Sequence, residues 1–178
     1  MKKQLAIISC VLFDLTFTAQ LAAATPIMFR VQVAEKIDGV TAPFSGRLLI
    51  FICKDDGKPT DGFGTDFTDP NAVWVSGKEI KNLAPGGAIE IDPDELSFPS
   101  PFSSVPAGNY QIFALLDRDH SYTYNGPGPG DLYSQVVKAS APFTSADLTL
   151  YKAMPERKVE VPANARLVEF ESPVLSAF

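Results

Sequence analysis

The chain has 178 residues, of which 46% are hydrophobic, and its 15 Lys and Arg against 21 Asp and Glu give a formal net charge of −6 at pH 7. A chain of this length and apolar content can bury a hydrophobic core of its own. Because the protein is acidic and its few Lys and Arg are scattered, it offers no basic surface for phosphate backbones or anionic lipids. We therefore expect neither nucleic acid nor membrane partners.

The amino terminus has the pattern of a secretory signal peptide. Residues 1–3 carry two lysines, residues 5–17 are largely apolar, and residues 22–24 are three alanines that suit signal peptidase. The apolar stretch is too short for a comfortable bilayer span and contains Asp14. The pattern predicts a signal peptide over residues 1–24 and a secreted or periplasmic protein.

Cys53 is the only cysteine that remains after cleavage, so no intramolecular disulfide is expected and the apolar core must stabilise the fold. Its position in an apolar run favours a small buried hydrophobe over a reactive thiol.

Short apolar runs separated by Gly, Pro and Asp clusters recur along the rest of the chain, and helical periodicity is almost absent. This spacing predicts an all-β fold, an immunoglobulin-like antiparallel β-sandwich of about seven strands over residues 25–154. Residues 27–34 alternate apolar and polar, as in a half-buried strand, whereas residues 47–53 are apolar on both faces, as in a central strand. The predicted strands are 27–34, 47–53, 72–75, 88–91, 110–116, 132–139 and 148–152.

Two aromatic residues and one loop have specific roles in this prediction. Pro106 and Gly108 favour a tight turn before the strand at 110–116, and Tyr110 is placed to hydrogen-bond back across that corner. Trp74, among β-branched neighbours, is expected in the core or on a sheet face. Residues 55–70 are long and polar and are predicted to be the most mobile segment.

The sequence predicts no catalytic residue and no cofactor. A serine or cysteine nucleophile needs a base beside it, but His120 is the only histidine and no G-x-S-x-G elbow occurs. His and Cys clusters with zinc spacing are also missing from the sequence. Residues 126–130 are rich in glycine, but their prolines lack the donors that hold phosphate, so a rigid turn is predicted there.

A group of three aspartates makes a calcium site possible. Asp117, Asp119 and Asp131 flank a loop, and calcium takes six to eight oxygen ligands of this kind. The spacing does not match an EF-hand. The alternative is that these carboxylates accept hydrogen bonds within the loop and its turns.

The same loop, residues 117–133, carries aromatic side chains that could bind a partner. Tyr122, Tyr124 and Tyr133, with His120 nearby, have the amphipathic character that suits stacking on a sugar or docking against a protein. The alternative is that the rings pack over the end of the sandwich and that His120 is a hydrogen-bonded loop residue.

Five short sequence segments, taken in their order along the chain, resemble a known protein family. Residues 46–51, 69–75, 106–111, 128–134 and 172–178 resemble the amino-terminal immunoglobulin-like domain of secreted esterases similar to enterochelin esterase. In that family the sandwich precedes an α/β-hydrolase domain in the same polypeptide. The resemblance implies that the catalytic serine, acid and histidine of the parent lie beyond Phe178.

The carboxyl-terminal residues fit the same expectation. The chain ends on apolar residues 175–178, so residues 155–178 are interpreted as a linker and the start of a further domain, in the front piece of a longer chain. The predicted function is a non-catalytic accessory domain, structural or substrate-positioning, of an exported esterase. The alternative is a free-standing secreted module that binds a carbohydrate or protein partner through residues 117–133.

Overall fold

The computed structural model describes residues 26–58, 60–66, 68–123, 126–156, 161–168 and 170–177. The predicted signal peptide lies outside them. Within these residues the chain is almost entirely β-strand and loop, so the all-β prediction is confirmed. Two short 3-10 helices, Phe102–Ser104 and Leu175–Ala177, interrupt it. None of the helices in the described part of the chain is long and apolar enough to cross a bilayer.

The strands of the described residues form one continuous hydrogen-bonded sheet. Its order is β4-β1-β9-β7-β6-β2-β3-β5, and β8 pairs with the same edge of β6 as β7. All pairs are antiparallel except β1 with β9, which is parallel. The strands are β1 Met28–Val33, β2 Phe44–Lys54, β3 Val73–Leu83, β4 Ala88–Ile91, β5 Ser97–Phe98, β6 Gly108–Asp117, β7 Leu132–Ser134, β8 Val137–Ala141 and β9 Ser145–Ala153.

The described part of the chain contains two strands more than the seven predicted. The run predicted as one strand at 132–139 is two, because β7 pairs with one end of β6 and β8 with the other. At the break, the Ser134 hydroxyl accepts the backbone N–H of Ala114 at 2.9 Å and donates to the Gln135 carbonyl at 2.8 Å. A side chain thus replaces the missing ladder bond. The other added strand, β5, pairs with two residues of β3.

The main core lies on one face of the sheet. Leu48, Ile50 and Ile52 of β2 alternate with residues that face the other way, and β6 contributes Tyr110, Ile112, Ala114 and Leu116 in the same alternation. Apolar residues of β1 and β9 belong to the same cluster, although β7 separates these strands from β2 and β6 in the sheet order. The sheet therefore curves around the core. The two-sheet, immunoglobulin-like arrangement remains a prediction.

Tyr110 and Trp74 take the positions expected for them. Tyr110 is fully buried and its hydroxyl donates to the Pro106 carbonyl at 2.9 Å, across the turn that precedes β6. Trp74 packs edge-on against Tyr110, with ring centroids 6.2 Å apart, and its indole N–H donates to the Ser100 hydroxyl. Both rings therefore belong to the main core.

A second apolar cluster covers the opposite face of the same strands. The intervening residues of β2 and β6 lie there, with Phe51 opposite Phe113 and Leu49 opposite Leu115 in the register. Phe51 is fully buried. A sheet that is apolar on both faces needs a cover on each, and here loops supply the cover on the second face. The candidate site lies at this loop-covered face.

The segment after β9 leaves several apolar side chains in solvent. Leu167 and Val168 lie outside any strand, and Phe170 and Leu175 are 84% and 74% exposed. The assignment of this segment as a linker to a further domain remains a prediction.

Candidate functional site

A cavity of about 360 Å³ lies between the outer face of the sheet and two loops. Its walls include four aromatic rings: Phe113 of β6, Tyr133 of β7, Phe63 of the loop after β2 and Tyr122 of the loop after β6. We call this cavity the aromatic pocket. It brings together two of the three tyrosines predicted to bind a partner, while Tyr124 lies outside the described residues.

Strand alternation and register place the floor of the aromatic pocket. Phe113 and Leu115 point away from the main core because their neighbours in β6 point into it. Tyr133 lies opposite Leu115 in the pairing of β6 with β7, and its ring centroid is 6.4 Å from that of Phe113. The floor is therefore built on rigid strands.

Two glycines let the loop after β2 lie close to the floor. A Cβ atom on Gly62 would lie 2.9 Å from the Phe113 ring, and one on Gly64 would lie 2.5 Å from the Tyr122 hydroxyl oxygen. Phe63 stands between them, and its ring centroid is 5.8 Å from that of Phe113. A side chain at either glycine would force the facing ring to move, so the two glycines suit this close approach.

Asp55 ties the start of this loop to the sheet. Its carboxylate accepts hydrogen bonds from the Gln111 amide at 2.9 Å and the Gly57 N–H at 3.0 Å, and it pairs with the Lys138 ammonium at 2.8 Å. These bonds lower the pKa of Asp55 from 3.8 to about 2, the Gln111 bond having the largest effect. The loop that was predicted to be mobile is thus fixed at its first residues.

Two buried carboxylates hold the other loop, residues 117–133. Asp117 accepts the Tyr122 N–H at 3.3 Å and pairs with the Arg47 guanidinium at 2.8 Å. Asp131 accepts the N–H groups of Arg118 and Gly128 at 2.9 and 2.7 Å. Burial raises the pKa of Asp131, and the nearby carboxylates of Asp117 and Asp119 raise it further, against the effect of the two N–H donors. The loop geometry is therefore maintained by charge-assisted hydrogen bonds.

The structure brings the three predicted calcium ligands together. One carboxylate oxygen each from Asp117, Asp119 and Asp131 lies within 4.8 Å of the others. Each of these carboxylates already accepts at least one backbone N–H of the loop. This pattern fits the alternative in which they hold the loop. Calcium binding, which takes six to eight oxygen ligands in all, stays the untested alternative.

His120 lies apart from the aromatic pocket. It adopts a positive φ of 60°, and its Nε2 lies 3.1 Å from a carboxylate oxygen of Glu79 on β3. Both side chains are more than half exposed. His120 thus does not line the pocket that Tyr122 and Tyr133 line, and its contact with Glu79 fits the alternative of a hydrogen-bonded loop residue.

Cys53 is half-buried on the outer face, opposite Gln111 of β6. Burial raises the pKa of its thiol to about 11, and the negative charges of Asp56 and Asp55 add to the effect. A thiol that stays protonated at neutral pH is a poor nucleophile. This fits the interpretation of Cys53 as a small hydrophobe.

Sequence reasoning missed Phe63 and Phe113 as pocket residues. Phe113 was assigned only to a core strand, although a strand apolar on both faces implies a covered outer face. Phe63 lies inside a polar loop and was not predicted, although an aromatic residue between two glycines can indicate that the loop packs closely against an apolar surface.

No protein-family model matches the chain, and neither a curated protein nor a solved structure matches it. The resemblance to esterase amino-terminal domains therefore remains a prediction.

Proposed function

We propose that this chain is a non-catalytic binding domain whose aromatic pocket holds a small ligand with an apolar ring. The observation that carries the proposal is the convergence of Phe63, Phe113, Tyr122 and Tyr133 on one cavity of about 360 Å³. Ligand pockets of proteins are typically concave, of this size range, and lined mainly by apolar and aromatic side chains.

The wall chemistry favours an apolar ring over a charged group. Aromatic rings pack favourably with centroids roughly 4.5–7 Å apart. Phe113 of the pocket lies within this distance of Phe63 and of Tyr133, at 5.8 and 6.4 Å, with tilted ring planes. A ligand ring would extend the same packing. Asp61 is the one charged side chain in the pocket wall among the described residues, and it is exposed.

The states of the two most reactive side chains support binding rather than catalysis. The Cys53 thiol has a pKa of about 11, and His120 pairs with Glu79 at an exposed edge of the sheet. Neither side chain lines the aromatic pocket. A nucleophile needs an adjacent, oriented base, and the pocket walls in the described residues hold no such pair.

The resemblance to esterase amino-terminal domains supports a second step of the proposal. If the parent is an exported serine esterase with a following α/β-hydrolase domain, the pocket would hold an apolar part of its substrate. The exposed apolar residues after β9, such as Phe170 and Leu175, would then contact that domain. The order of the five segments 46–51, 69–75, 106–111, 128–134 and 172–178 within the resemblance supports this step.

Titration of the full chain with 4-nitrophenol or indole, followed by ligand-observed NMR, tests the binding function. We expect saturable binding that Phe63→Ala weakens. Phe98→Ala is the matched control, because Phe98 is a half-exposed residue on edge strand β5, outside the pocket wall. Binding that is unaffected by Phe63→Ala, or absent altogether, would remove the aromatic pocket as the site.

A further inference from the structure

A second cavity of about 760 Å³ adjoins the aromatic pocket. Phe63 and Gly64 line both cavities, so the two cavities lie side by side with these two residues at their common boundary. We call the second cavity the polar groove. Six of its lining residues have polar side chains from the loop that follows β2: Asp56, Lys58, Thr60, Asp66, Asp69 and Asn71.

The charges in the polar groove are mixed. Carboxylates of Asp56, Asp66 and Asp69 lie in the same walls as the ammonium groups of Lys54 and Lys58. Hydrogen bonds lower the pKa of Asp56, chiefly from Lys58, and of Asp66, chiefly from Thr68, so both are ionised acceptors at neutral pH. An anionic ligand would meet three carboxylates and a cationic ligand would meet two ammonium groups. A neutral group with many hydroxyls meets both acceptors and donors.

Asn71 offers both kinds of hydrogen-bonding atom at the groove. Its backbone N–H is bonded to the Asp69 carboxylate at 3.1 Å, which fixes its main chain. Among the hydrogen bonds of the described residues, its side-chain amide has no partner. An amide carries two donors and one acceptor oxygen, which matches a pair of neighbouring sugar hydroxyls.

We infer that the two cavities bind the two ends of one ligand, a glycoside whose apolar group enters the aromatic pocket and whose sugar lies in the polar groove. This inference rests on the proposed function and adds the ligand class. The apolar part gains contact with Phe63 and Phe113, and the sugar hydroxyls gain hydrogen bonds from the groove, including those to the Asn71 amide. Joining the two parts makes the second contact intramolecular, so the glycoside binds more tightly than either part alone.

Calorimetric titration of the full chain tests the inference with three kinds of probe: 4-nitrophenol, free hexoses, and the 4-nitrophenyl glycosides of glucose, galactose and mannose. We expect at least one glycoside to bind about tenfold or more tightly than 4-nitrophenol, a difference well resolved by titration. Asn71→Ala should weaken the binding of that glycoside and leave the affinity for 4-nitrophenol unchanged. Asn164→Ala, at an exposed position after β9, is the matched control.

The outcomes separate the inference from the proposed function. If 4-nitrophenol binds in a Phe63-dependent way but no glycoside binds more tightly, the glycoside inference is wrong and the aromatic pocket stands. If a glycoside binds more tightly but Asn71→Ala and Asn164→Ala behave alike, the polar groove is not the sugar site and the inference is also wrong. If no probe binds, both proposals are wrong.

Discussion

Gly64 and the hydroxyl of Tyr122 are in direct contact across the aromatic pocket, and a Cβ atom at position 64 would lie 2.5 Å from that oxygen. Gly64→Ala should therefore push the two loops apart and lower the free energy of unfolding by about 1–3 kcal/mol, the usual range for overpacking. Urea denaturation measures the change.

Two further variants make this prediction specific. Tyr122→Phe removes the clashing oxygen, so the double variant should recover most of the stability that Gly64→Ala loses. Gly77→Ala is the control, because its Cβ would have its nearest neighbour, a Leu49 methyl group, at an ordinary 3.6 Å. Equal losses for Gly64→Ala with and without Tyr122→Phe would contradict the contact.

The tyrosine at the start of β6 gives a second prediction. Tyr110→Phe deletes the hydroxyl and its hydrogen bond to the Pro106 carbonyl, so the free energy of unfolding should fall by about 0.5–1.5 kcal/mol, the usual net contribution of such a bond. Tyr151→Phe, on a tyrosine that is 44% exposed, should change it little. Equal effects in urea denaturation would show that the Tyr110 bond is not important for stability.

Asp55 gives a prediction about pH. Its pKa is lower in the folded state than the ordinary value of 3.8, so its stabilising contribution is complete above 3.8 and is lost as the pH falls towards about 2. Asp55→Ala removes the acceptor, so it should abolish this loss and should speed hydrogen exchange at Gly57, whose N–H donates to the carboxylate. Asp38→Ala, at an exposed ion pair, is the control. Unchanged exchange at Gly57 in Asp55→Ala would contradict the anchoring role.

The contribution of Asp131 to stability should change with pH in the opposite direction to that of Asp55. Because its folded-state pKa is raised, its contribution to stability is greatest below 3.8 and is lost as the pH rises through the folded value. The contribution of Asp131, taken as the difference in free energy of unfolding between the parent chain and Asp131→Asn in urea, should therefore decline as the pH rises above 3.8. A difference that does not change with pH would place the titrating group elsewhere.

Calcium provides the last test. Since the carboxylates of Asp117, Asp119 and Asp131 already accept hydrogen bonds from the loop, we expect the same melting temperature in millimolar calcium and in chelator. A ligand that binds only the folded state raises the melting temperature by mass action. A rise that Asp119→Asn abolishes would establish the cation site that the sequence left open.

The strand pattern of this chain could be predicted closely, because it depends on local alternation. The predicted run 88–91 coincides with β4, and the run 47–53 lies inside β2, whose neighbours are β3 and β6 on either side as expected of a central strand. The later half of β3 was missed, since Lys78, Glu79 and Lys81 do not look like strand residues. Their strand is imposed by pairing with β2, a tertiary effect.

The candidate site could be predicted only in part. Asp117, Asp119 and Asp131 were grouped because they flank one loop, and they meet because the strands on either side of it pair, Leu116 lying opposite Leu132. The aromatic pocket joins Phe63 to Phe113 and Tyr133, residues far apart in the sequence, through the pairing of β2, β6 and β7 and the close approach of Gly62. Such contacts depend on sheet order, which a single sequence does not specify.

The parallel pairing of β1 with β9 also determines when the fold can be completed. Met28 lies opposite Ser145 and Val33 opposite Leu150, so the first strand waits for a partner made more than a hundred residues later. During synthesis on the ribosome, one edge of β1 and its apolar side chains remain uncovered until β9 has emerged. Such long loop closures slow folding, so the nascent chain has a prolonged interval in which a chaperone can bind that edge.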